Sequence, residues 1–194
     1  MRADAERNRA RVLAAAMTAF ATGGLSVSVA EIARRAGVGT GTVSRHFPTK
    51  ESLYEAIVLL RVGEIVDQAR WLAATKDPGT AFFAFFAHMV DQAAANRGLA
   101  EALAGDGFDV EAAAARTGLD LDGVERELLD HARRAGAVRP DLTWADVKAL
   151  IVGCLAREGA FTDAEARRRM IEIACAGLAA PPGHDPSRGM ITGG

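Results

Sequence analysis

Aromatic residues make up only 6% of this 194-residue chain, cysteine occurs twice, and acidic and basic residues nearly balance. No apolar run approaches the ~20 residues that a membrane-spanning helix requires. Each shortage excludes something. Cys154 and Cys175 lack metal-ligand spacing and cannot frame a disulfide-stapled domain, so buried, reduced thiols are expected. The N-terminus carries Arg2, Asp4, Glu6, Arg7, Arg9 and Arg11 ahead of a modest amphipathic helix, which is not a secretory leader; a cytoplasmic location is expected. No phosphate loop, H-E-x-x-H, C-x-x-C or G-x-S-x-G occurs. An active site would have to draw on Cys154, Cys175, His88 and His131, whose spacing suggests no nucleophile–base pair. The reading is therefore no enzyme, no cofactor, no metal and no membrane.

What the chain does have is 49% hydrophobic and 25% charged residues, the balance of a globular protein able to bury a core. Its net charge of −2 conceals an asymmetry. Residues 1–50 hold eight Lys or Arg against three Asp or Glu, a net +5, whereas the rest holds 15 against 22, a net −7. A basic head on an acidic body suits a protein of which only the head meets phosphate.

Helical periodicity runs through the sequence and strand alternation does not, so the expected fold is all-α with about nine helices. A first helix is predicted over about 4–21, with Val12, Leu13, Ala16, Met17 and Phe20 on one face. Ser28 and Glu31 read as a capping box opening a second. Further helices are predicted from Gly39 or Thr40 to Phe47, over about 50–76, and from Pro78 after the cap Asp77 to about 96. Two short pieces are expected between 97 and 119. The last three run over about 120–135, 144–158 and up to 180, the final pair capped by Thr143 and by Thr162 with Glu165. The expected organisation is a helix-turn-helix domain over 1–50, continuing into the start of the long fourth helix, a second domain over 51–180, and a disordered tail over 181–194.

The segment from Ser28 to Lys50 carries the chemistry. Two short helices that cross at a tight turn need a small residue at their contact, a glycine at the turn and apolar anchors on both sides. Ala33, Gly37 and Val43 supply these at the right spacing, with Ile32, Ala36, Val38 and Phe47 beside them. On the outer side of the third helix, the hydroxyls of Thr40, Thr42 and Ser44 can bond base edges or phosphates. Gly41 permits close backbone approach, and Arg45, His46 and Lys50 offer charge or hydrogen bonds to phosphates, aided by a helix N-terminus near Lys50.

Residues from about Arg11 to Leu53 resemble the DNA-binding domain of the TetR family of bacterial transcriptional regulators. The resemblance rests on Ala14-Ala15-Ala16, Phe20, Gly24, Glu31-Ile32-Ala33, Ala36-Gly37-Val38, Gly41-Thr42, Arg45-His46-Phe47 and Lys50-Glu51-Ser52-Leu53. It implies base-facing roles for Thr40, Gly41 and Thr42. Phosphate-facing roles fall to Arg45, His46 and Lys50, with Ser28 near the DNA backbone. Ser44 stands where the family usually has tyrosine, so operator preference does not carry over. Gly39 replaces the usual serine cap of the reading helix.

The resemblance also implies a body that binds a small molecule and forms a homodimer on double-stranded operator DNA. Trp71, Phe82, Phe85, Phe86, Met89 and Phe108 are the candidate lining of a partly apolar effector site, with His88, Asp91 or Gln92 as polar handles. Each phenylalanine reads equally as core filling. For the dimer, Trp144, Val147, Leu150, Ile151 and Leu155 form one apolar stripe, and Met170, Ile173, Ala174 and Leu178 another. Gly153, Ala156 and Gly177 would allow close approach in a four-helix interface. The function expected is a repressor released from a palindromic operator by its effector. The alternatives are a ligand-independent regulator that answers to a protein partner, and a small-molecule-binding protein with a vestigial head.

Overall fold

A computed structural model of the chain describes residues 2–23, 26–95, 110–158 and 163–181. Among these it is all-α, with nine helices: α1 (Arg2–Gly23), α2 (Val29–Ala36), α3 (Thr40–His46), α4 (Lys50–Thr75), α5 (Pro78–Ala95), α6 (Val110–Arg116), α7 (Leu121–Arg134), α8 (Trp144–Glu158) and α9 (Ala164–Leu178). The one β-type contact among the described residues is an isolated bridge between Val138 and Ala179. It ties the end of α9 to the connector that precedes α8.

Local chemistry sets the helix ends. Asp77 accepts from the Thr80 amide ahead of Pro78 at the start of α5, and Thr143 and Asp146 cap α8 reciprocally. The cap of α9 is Asp163, which accepts from the amides of Glu165 and Ala166. A carboxylate one residue later therefore does the work expected of Thr162, which lies outside the described residues, as does the expected tail from 182 onward.

The chain divides into two compact units, one of residues 1–63 and 95–119, the other of 64–94 and 120–194. The first unit takes in the N-terminal half of α4, where Leu53, Tyr54, Ile57 and Val62 are buried. The Phe20 ring meets Tyr54 edge-on at 4.8 Å, an arrangement that adds to simple burial. In the second unit, Phe82, Phe85 and Phe86 of α5 are each 1% exposed. Val66, Ala69 and Leu72 of α4, Leu128 and Leu129 of α7, and Val147 of α8 are buried with them.

Candidate nucleic-acid interface

The turn between α2 and α3 is built around Gly37. Its backbone stands at φ 63°, ψ 40°, a left-handed conformation in which a Cβ would press on the carbonyl. The Val38 amide donates to the Ala33 carbonyl at 3.0 Å and the Gly37 amide to that of Arg34 at 3.2 Å, so α2 closes in a Schellman motif. Ile32, Ala33 and Ala36 of α2 and Val43 of α3 are buried. With its anchor turned inward, α3 presents the other side outward: Thr40, Gly41, Ser44 and Arg45 are exposed, and Thr42 and His46 half-buried. A Cβ on Gly41 would meet nothing of the protein within 4 Å. Gly39 precedes α3 without any side-chain cap bond.

Ser28 caps α2, its hydroxyl accepting from the Glu31 amide at 3.2 Å. Glu31 does not complete the expected box. Its carboxylate turns instead to Arg34, in a fork of 2.7 and 2.8 Å, and to the Arg35 Nε at 2.8 Å. Hydrogen bonds from Arg34 and then Arg35 hold Glu31 at a pKa of about 2. Arg34 and Arg35 thus share one carboxylate, which cancels one of their two charges, and Arg7 is paired with Asp4.

At the start of α4, Thr49 and Ser52 cap each other through side chain and backbone. Glu51 is held below the usual carboxylate range by its own amide, by the Thr49 hydroxyl and by Lys50. The first turn of α4 thus already carries a carboxylate. An anion there gains little from the helix end, and the attraction expected at this point falls to Lys50, whose ammonium lies 5.9 Å from the Tyr54 ring centroid.

Phe82, Phe85 and Phe86 fill the core, and Met89 is half-buried. Trp71 is 52% exposed beneath the Lys76 ammonium. Burial pushes the His88 imidazole below its ordinary pKa. None of these lines the groove of about 290 Å³ between α4 and α7, which is formed by Ala69, Arg70, Ala73, Ala74, Val124, Glu127, Leu128 and His131. Phe108 lies outside the described residues.

Trp144, Val147 and Ile151 are at most 6% exposed and face the subunit's own core. Leu150, 39% exposed, stands on another side of α8, and the outward strip of α8–α9 carries Val152 and Ile173, 63% and 72% exposed. Around them are the exposed small residues Ala149, Gly153, Ala176 and Gly177. Met170 is half-buried, and the Leu155 side chain lies outside the described residues. Burial raises the pKa of both cysteine thiols, which keeps them protonated and poorly nucleophilic.

Comparison with known proteins agrees across the chain. Residues 12–57 match the profile described as bacterial regulatory proteins, tetR family, and residues 77–180 that of the SbtR-like transcriptional regulator C-terminal domain. A solved TetR regulatory protein from Mycobacterium vanbaalenii is 47% identical, the match covering 92% of this chain and 99% of that one with a TM-score of 0.72. A TetR regulator from Streptomyces coelicolor is 31% identical over 89% and 98%, at 0.69. A structure described as a gamma-butyrolactone receptor (ArpA-like protein) is 26% identical over 95% and 93%, at 0.65. No curated protein matches.

Proposed function

We propose, from the premise that this chain belongs to the TetR family of bacterial transcriptional regulators and is a DNA-binding protein of that kind, that it is a repressor released by a small molecule. The observation that carries the reading is α3 itself, a short helix anchored by Val43 whose outward side holds hydroxyls, a bare glycine and cations. In this reading Thr40, Gly41 and Thr42 meet base edges in the major groove, and Ser44 lies beside them. Arg45, His46 and Lys50 meet phosphates, and Ser28 lies near the DNA backbone. Two subunits join through the outward strip of α8–α9, so that their reading helices address two half-sites of a palindrome about 34–36 Å apart.

The effector reading is supported by the groove between α4 and α7. Its floor is apolar through Ala69, Val124 and Leu128, and Arg70, Glu127 and His131 supply polar anchors. A relative described as a receptor for gamma-butyrolactone, a small and partly apolar molecule, points the same way. A ligand that binds one of two dimer states better shifts their populations and so lowers operator affinity. The test is a titration of the protein onto the DNA upstream of its own gene and onto a scrambled duplex. Tight binding to the first alone, abolished by substituting Thr42, Arg45 and Lys50 together with alanine, is expected. Equal, salt-screened binding to both duplexes would contradict the reading.

A further inference from the structure

The eight basic residues of segment 1–50 are not equivalent. Arg7, Arg34 and Arg35 are bound by Asp4 and Glu31, and Arg11 donates a long bond of 3.4 Å to the Gly37 carbonyl. Arg9 differs from all of these. Its guanidinium carbon lies 5.5 Å from the centroid of the Phe47 ring. Phe47 is the residue that ends α3, its amide donating to the Val43 carbonyl at 2.8 Å, and it is 5% exposed. The ring is thus fixed by the core, and Arg9, an exposed residue of α1, lies across it. A guanidinium held over an aromatic face by cation–π attraction keeps its full charge and its donors.

We infer that Arg9 is a phosphate-binding residue, held by Phe47 beside the end of the reading helix. It joins Arg45, His46 and Lys50, the residues proposed above to meet phosphates. The role rests on the DNA-binding reading above. It adds a contact from α1, outside the helix-turn-helix, that depends on DNA charge and not on base sequence. Such a contact orients α3 without reading bases. The attraction of the Phe47 ring also biases the guanidinium toward that end of α3 before the phosphate arrives.

The test compares the wild-type protein with Arg9→Met, which still covers the ring but has no charge, and Arg9→Lys, which keeps charge. Each is titrated onto the upstream duplex and onto a scrambled one at 50 to 200 mM salt, with thermal melting in parallel. One phosphate contact contributes a salt slope of about 0.9, so the deficit of Arg9→Met shrinks about threefold from the lowest to the highest salt. The deficit is expected to be equal on both duplexes. The melting temperature should stay near wild type, and Arg9→Lys should restore most of the slope. An unchanged salt slope in Arg9→Met, with wild-type DNA binding intact, would overturn the inference and leave Arg9 a cover for the Phe47 ring. Failure of the wild type to bind any duplex would instead overturn the DNA-binding reading on which it stands.

Discussion

The helix-turn-helix and the α8–α9 pair use large apolar residues in opposite ways. In the former, Ile32 and Val43 are at most 1% exposed and the outward positions are hydroxyl, glycine or cation. In the latter, Val152 and Ile173 stand 63% and 72% exposed among small residues. A surface with its apolar groups withdrawn and its charge displayed suits a partner that is polar and anionic. An apolar strip flanked by glycine and alanine suits one that is apolar and close-packed, such as a second copy of itself. The proposed division of labour, duplex at one surface and sister subunit at the other, follows from that contrast.

The largest effect is expected where the apolar strip is broken. Val152→Glu with Ile173→Glu should leave a folded monomer, seen as a halved mass in sedimentation. It should also cost about 100-fold or more in operator affinity, since two linked heads bind with avidity that one lacks. A dimer of undiminished mass would show that the interface lies elsewhere. At the polar surface, Thr42→Ala should cost about 1–3 kcal/mol of discrimination at one base pair and its symmetry mate, with little change on a scrambled duplex. Competition binding against single-base operator variants measures this.

Within the head, Gly37→Ala forces a Cβ into left-handed backbone. It should cost about 1–2 kcal/mol in chemical denaturation, since the nearest obstacle, the Arg11 guanidinium, can move aside. The Glu31 network should show itself through pH. Its carboxyl is depressed from 4.5 to about 2 in the folded head. The stability it contributes is therefore whole above 4.5 and lost as pH falls toward 2. Wild type should melt above Glu31→Gln at pH 7, with the gap closing across that window, as followed by circular dichroism. The smallest effect is a gain. Gly39→Ser supplies the missing cap of α3 where a Cβ meets nothing within 4 Å, and it should raise stability by a few tenths of a kcal/mol.

The same contrast governs how much the sequence disclosed. Ala33, Gly37 and Val43 were legible because a tight crossing tolerates few residue types at fixed spacing. The local caps Ser28, Asp77 and Thr143 were legible because each acts within three or four positions. The α8 stripe was not. Apolar residues occupy both faces of that helix, and periodicity alone does not say which face turns inward. Burial of Trp144, Val147 and Ile151 leaves Leu150 and Val152 outside. The phenylalanines of α5 were open to both core and pocket readings, and packing put Phe82, Phe85 and Phe86 in the core. Neither Arg9 over Phe47 nor Phe20 against Tyr54 leaves any local signal, since each joins residues more than thirty positions apart.

The most direct test of the account is selection of duplexes from a random pool by the purified protein, followed by sequencing of the bound DNA. An inverted repeat is predicted, its half-sites centred about one helical turn or a multiple apart, with two subunits on each duplex. A bound pool with no enriched sequence, or with a single half-site occupied by one subunit, would contradict it.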